Sequence, residues 1–145
     1  MGSHHHTHHL PYTQKQLYDL VKDIEKYPHF LPGCQAARIL SQSEVEIVAD
    51  LLVGHKFFQE TFRSRVHLTP ESQIEVDYID GPFHHLKNKW IFHQTSPQGT
   101  TLEFFIDFQF KNSFFQKVMQ GVFEATFEKM LTAFEKRAHH LYGTG

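Results

Sequence analysis

Residues 113–142, SFFQKVMQGVFEATFEKMLTAFEKRAHHLY, decide the fold. Phe115, Val118, Met119, Val122, Thr126, Met130, Phe134, Ala138 and Leu141 recur at steps of three and four, the spacing of one face of an α-helix. Ser113 and Gln116 read as a capping box, and Gly143 stands just past the far end as a C-cap. A lone helix of this kind is marginal in water, so its apolar stripe must lie against a second layer. Lys136, Arg137, His139 and His140 suit the negative end of the helix dipole.

The preceding segment supplies that layer. From Gln35 the apolar period changes from helical to two, and strands are predicted at about 35–41, 44–53, 57–68, 73–80, 86–95 and 101–110. The short turns between them imply an antiparallel meander. In the last strand Leu102, Phe104, Ile106, Phe108 and Phe110 point one way, so one face is core and the other wet. On the wet face Glu46 and Asp50 fall opposite Arg63 and Arg65, and Glu75 and Asp77 opposite Lys87 and Lys89, as cross-strand charge pairs. Upstream, Thr13 with Gln16 forms another capping box, and Leu17, Leu20, Val21 and Ile24 form one helical face that is expected to hold until Tyr27-Pro28. Tyr27 to Cys34, with Pro28 and Pro32, reads as a short rigid turn presenting apolar groups. Met1 to His6 reads as an expression-tag leader, Thr7 to Leu10 as the end of a first strand, and residues 7–145 as one domain. The fold class expected is α+β, a curved antiparallel sheet of six to seven strands around a long C-terminal helix.

Composition narrows the function. Among 145 residues, 40% hydrophobic and 21% charged describe an ordinary soluble domain, but fifteen Phe shift its bulk toward flat aromatic walls. A net charge of -2 with thirteen His neutral gives no standing basic field of the sort that dominates nucleic-acid affinity, so DNA is not an expected partner and RNA is a less attractive one, although partial His protonation reverses the sign near about pH 6. The single Cys34 excludes an internal disulfide and fits a reducing compartment. Without a spanning apolar run or a signal or transit peptide, the expected location is the bacterial cytoplasm, with peripheral contact at the inner face of its membrane.

In a meander every second turn falls at the same end. One end collects polar turns at about 41–43, 69–72 and 96–99, and the other collects Tyr27, Phe30, Leu31, Phe57, Phe58, Phe83, Phe114 and Phe115. Such a cluster is either a satellite core or the mouth of an apolar ligand site and a shallow membrane contact. Gly121 inside the helix is either a close packing point or room for a ligand. The inner face carries Phe62, Tyr78, Trp90, Phe92, Phe104 and Phe108, opposite Val118, Met119 and Val122 of the helix. Glu60, Ser64 and Asn88 share that face, and a few polar groups in an apolar hollow is how small-molecule sites are built. No catalytic constellation accompanies them: Cys34 and His29 lack a third member, adjacent His84 and His85 point apart, and no Gly-rich phosphate loop is present. Neither a metal nor an obligatory cofactor is expected.

The strings Tyr27-Pro-His-Phe-Leu-Pro-Gly-Cys34, Val53-Gly54 leading into Phe57-Phe58-Gln59-Glu60-Thr61-Phe62, Asp80-Gly81-Pro82-Phe83, and Asp107-Phe108 resemble the coenzyme Q-binding START-domain family over Leu10 to Tyr142. The resemblance implies a helix-grip fold with a hydrophobic cavity. It also implies binding of ubiquinone or a similar isoprenoid lipid, in support of respiratory electron transport and quinone biosynthesis. A sister branch resembles the bacterial ribosome-association toxin, which implies a large-subunit partner and blocked subunit joining. The wider superfamily includes polyketide cyclases, but the missing acid-base constellation argues against an enzyme.

Overall fold

The computed structural model describes residues 2–55, 58–81, 83–111 and 113–143, with side chains described for these except at 2, 55, 58 and 113–126. The chain forms β1 (Gly2–Leu10), α1 (Gln14–Lys22), a 3-10 helix (Ile24–His29), β2 (Cys34–Gln42), β3 (Glu46–His55), β4 (Phe58–Thr69), β5 (Gln73–Asp80), β6 (Phe83–Ser96), β7 (Gly99–Phe110) and α2 (Ser113–Tyr142). The strands make one antiparallel sheet in the order β1-β7-β6-β5-β4-β3-β2, gripping α2 as the sequence pattern requires.

The α1 capping box is formed. The Thr13 hydroxyl accepts from the Gln16 N–H at 3.1 Å, and the Gln16 side-chain oxygen accepts from the Thr13 N–H at 2.9 Å. The helix stops earlier than expected, at Lys22, because Asp23 turns out of helical geometry and the chain tightens into the 3-10 helix around Pro28. In a continued α-helix Pro28 would clash with the Ile24 carbonyl and leave it without a donor. Ile24 stays buried with Leu17, Leu20 and Val21, so the apolar face survives the change of helix type.

The first strand is longer than Thr7 to Leu10. It pairs with β7 from Gly2↔Phe108 to Leu10↔Thr100, through the stretch that reads as a tag leader. Alternation turns His4, His6 and His8 toward α2, where the His4 ring lies 6.1 Å from Phe108 and 5.6 Å from Phe127, and His6 Nδ1 is 2.9 Å from Glu128.

The expected stripe on α2 is also corrected. Phe127, Leu131, Phe134 and Ala138 are buried, whereas Met130 is only partly buried and Leu141 is 47% exposed. Only Phe134 and Ala138 belong to both stripes, and Thr126 lies outside the described side chains. The real stripe is rotated by about half a residue step, roughly 50°, and it buries Leu131 more deeply than Met130. Phe134 is the anchor: its ring meets Trp90 at 5.1 Å, Tyr27 at 5.4 Å and Phe30 at 5.2 Å, all near edge-to-face.

Charge pairs decorate the outer face as expected. Arg63 donates to Asp50 at 2.8 and 3.0 Å, Arg65 donates to Glu46 at 3.2 Å, and Lys87 lies 3.4 Å from Glu75 and 3.7 Å from Asp77, whereas Lys89 pairs with no carboxylate among the described residues. At the β5–β6 turn Gly81 has φ +148, and a Cβ there would stand 2.9 Å from the Phe62 Cβ and 3.0 Å from the Tyr78 hydroxyl. Backbone strain and collision therefore act together at one residue. Gly81→Ala is expected to lower stability by about 2 kcal/mol or more, read as a lower urea midpoint at unchanged slope.

Candidate functional site

Register places the polar inner residues in defined rows. Asn88 of β6 lies opposite Val76 of β5 and Ile106 of β7, while Ser64 of β4 lies opposite Tyr78 of β5 and Ala49 of β3. All face α2 because each shares strand parity with a buried residue: Asn88 with Trp90, Ser64 with Val66, Tyr78 with Ile74.

The residues expected to line one cavity fall into two groups. Trp90, Phe92 and Phe104 are almost fully buried under α1 and the second half of α2: Phe92 meets Tyr18 at 6.1 Å, and Trp90 meets Phe104 at 4.6 Å as well as Phe134. They are core. Phe62, Tyr78, Phe83 and Phe108 form the second group, near the β5–β6 turn, with Phe62–Tyr78, Tyr78–Phe83 and Phe83–Phe108 centroids at 6.3, 5.7 and 6.4 Å. Here the inner face is not fully covered. Leu51, Phe62, Val76, Tyr78 and Asn88 are half-buried although they point inward.

Two polar groups in this wall have a defined state. Asn88 Oδ1 is buried without a hydrogen-bond partner. The Tyr78 hydroxyl accepts from the Phe83 N–H at 3.0 Å, which leaves its own O–H available to donate. Burial raises the Tyr78 phenol above its ordinary pKa and the Phe83 bond pulls it back in part, so it stays a donor at neutral pH. Ser64 is buried beside it in the same row, and Glu60 is half-buried opposite Val53 near the start of β4.

The expected mouth also divides. Phe83 belongs to the aromatic wall. Tyr27 and Phe30 instead pack on Phe134, roughly 30 Å along α2 from Ser113 at 1.5 Å per residue, and Leu31 packs against the same core. The Tyr27 hydroxyl donates to the Val21 carbonyl, and burial pushes its pKa up, so this loop is a satellite core that fastens α1 to α2. Phe57 lies outside the described residues, and the side chains of Phe58, Phe114, Phe115, Val118, Met119 and Val122 lie outside those described, as does any packing around Gly121.

Sequence reasoning missed the inward-facing His4, His6 and His8, because a histidine run at a chain start reads as a tag; with His5 and His9 between them, the one signal available was that they share the parity of the apolar Leu10. Cys34 lies at the start of β2, and burial pushes its thiol up to about 11, the opposite of what a nucleophile needs. Among the described residues no group of three His, Cys, Asp or Glu is placed to hold a metal, and no helix is long and apolar enough to cross a membrane.

Residues 10–135 match the family described as polyketide cyclase / dehydrase and lipid transport. The chain is 43% identical to a Rickettsia prowazekii protein named ribosome association toxin, over 95% of this chain and 97% of that one. It is 31% identical to the Xenopus laevis mitochondrial coenzyme Q-binding protein COQ10 homolog B, over 92% of this chain and 57% of the other. Among solved structures, the Zhui aromatase/cyclase from Streptomyces sp. R1128 superposes with a TM-score of 0.87 at 18% identity, over 99% of this chain and 98% of that one, a likeness of fold alone. The 18 kDa protein CC1736 from Caulobacter crescentus superposes with a TM-score of 0.79 at 33% identity, over 99% of both chains.

Two outcomes follow from the site's chemistry. Asn88→Leu removes a buried acceptor that has no partner, and is expected to raise stability by about 1 kcal/mol, seen as a higher melting temperature. At pH 8 the Cys34 thiolate fraction should be about a hundredfold below that of an ordinary cysteine, so alkylation of the native protein should be correspondingly slow and return to the free-thiol rate in denaturant.

Proposed function

The chain belongs to the polyketide cyclase / dehydrase and lipid transport family, and from that premise we propose that it is a non-enzymatic binding protein for ubiquinone or a similar isoprenoid lipid. It acts as a chaperone in respiratory electron transport and quinone biosynthesis. The observation that carries this reading is an inner face left half-buried at Phe62, Val76 and Tyr78, with the unpaired Asn88 Oδ1 in the row opposite Val76. An isoprenoid tail gains about 25 cal/mol for each Å² of apolar surface it buries, which favours a wall of rings over open water. The two polar groups suit opposite redox states of the headgroup: a quinone carbonyl accepts from the Tyr78 O–H, and a quinol hydroxyl donates to Asn88 Oδ1. Neither group is a base or nucleophile aimed at a reacting atom, which supports binding without turnover. The work is placed in the cytoplasm, with peripheral contact at the inner membrane face where such a lipid resides.

A second reading has its own support. The Rickettsia prowazekii relative matches nearly end to end and is named for ribosome association, so we also propose the large ribosomal subunit as a partner whose occupation blocks subunit joining.

Mass spectrometry of lipid extracted from the purified native protein is expected to find quinone near one per chain. Added quinone should quench the fluorescence of Trp90, the sole tryptophan, and Asn88→Leu should weaken that response to the quinol form more than to the quinone. Protein that is lipid-free and indifferent to added quinone would sink the lipid reading. Absence of the protein from large-subunit fractions would sink the second.

A further inference from the structure

We propose that the groove between the Tyr27–Gly33 loop and the outward side of α2's second half docks the phosphodiester backbone of single-stranded RNA; the choice of RNA rests on the ribosome reading. The groove encloses about 640 Å³. Its floor is Thr132 and Ala133, its wall is Phe30, and Lys129, Lys136 and Arg137 supply its charge. The two lysines are seven residues apart, two helical turns on one side, which sets them about 10 Å apart along the axis.

These cations are uncommitted. Lys15, Arg63, Arg65 and Lys87 each hold a carboxylate, whereas among the described residues Lys129, Lys136 and Arg137 hold none. Arg137 is poised: its guanidinium stands 5.3 Å over the Phe30 ring, and its Nε is buried with no hydrogen-bond partner. Glu128, the carboxylate among the described lining residues, is drawn to His6 at 2.9 Å. The helix dipole does not account for the row, since its influence is spent within the last turn, while Lys129 lies thirteen residues before Tyr142.

The geometry selects among polyanions. A planar bilayer does not enter a concave groove, whereas a single extended strand does. A single RNA strand offers both phosphates for the lysines and flat bases for the Arg137–Phe30 stack.

Fluorescence anisotropy of a labelled oligouridylate of about twelve nucleotides, titrated with the full chain between about 50 and 200 mM KCl, tests the site. With two phosphate contacts, log K should fall against log[KCl] with a slope of about -1.4, and Lys129→Ala with Lys136→Ala should remove nearly all of that slope and cut binding at the lower salt at least tenfold. The pair Lys87→Ala with Lys89→Ala, on the outer sheet face, should change neither. No binding at low salt, or equal binding by wild type and the Lys129/Lys136 variant, overturns the proposal. So does a variant that loses phosphatidylglycerol vesicles and keeps the oligonucleotide. Sedimentation with large ribosomal subunits separates the two layers of inference. Oligonucleotide binding without sedimentation keeps the groove and removes the ribosome reading; sedimentation unchanged by the double variant keeps the ribosome reading and removes the groove.

Discussion

The edge-to-face clasp on Phe134 fixes where α2 crosses the sheet. Trp90 approaches from β6, and Tyr27 and Phe30 from the loop after α1, so one ring ties together three parts of the chain that are distant in sequence. Truncating a buried Phe to Ala costs about 3–5 kcal/mol, a large share of the stability of a domain this size. The rigid Tyr27–Cys34 turn has its explanation here: two prolines hold Tyr27 and Phe30 at the height of Phe134, and the hydroxyl of Tyr27 is satisfied on the Val21 carbonyl. Without that clasp, the described side chains left to seat α2 on the sheet would be Phe127, Leu131 and Ala138.

Anchoring one end of the helix has a consequence at the other. Inner-face residues under the clasp are close to fully buried, while Leu51, Phe62, Val76 and Tyr78 toward the β5–β6 turn are only half so. A packed core does not leave its aromatic residues half-covered without reason. The Gly81 turn supports the same wall from outside, because the space a Cβ would take is occupied by Phe62 and by the Tyr78 hydroxyl that caps the Phe83 N–H. The wall proposed for the lipid has to be held in place before a ligand arrives, and Gly81 at the turn behind Phe62 and Tyr78 is suited to that holding.

Much of this was legible in the sequence, and the exceptions share a cause. Strand parity placed Ser64, Tyr78, Asn88 and Trp90 on the inner face correctly, because period two leaves only two choices per strand. The capping box of α1 and the outer charge pairs were readable for the same local reason. Parity says nothing about depth, however, so Trp90 and Phe104, which are core, looked equivalent to Phe62, which is half-exposed. The helix stripe came out rotated by roughly 50° because α2 is apolar on more than one side, and only the tertiary partners of Phe127 choose between neighbouring faces. The loop tips were grouped by which end of the sheet they leave from; Tyr27 and Phe30 fold back instead onto the far half of α2, a long-range contact that no local pattern encodes. Lys136 and Arg137 read as dipole partners and Lys129 was not singled out, because which cations lack a carboxylate among the described residues is a property of the fold.

The two functional readings use opposite sides of one helix, and the clasp decides whether they interact. A ligand beside the first turns of α2 and a strand in the outer groove can influence one another only by favouring different arrangements of something they share. The shared side chain is Phe30, which packs on Phe134 inside and under Arg137 outside. Three ring contacts at 5.1 to 5.4 Å hold that junction, and interior packing at this density resists small displacements instead of relaying them. Lipid inside and polyanion outside should therefore bind with nearly additive free energies, as separated sites with no moving element between them do. On this structure the quinone reading and the ribosome reading are not competing descriptions of one surface, and a mutation that tests one leaves the other open to measurement.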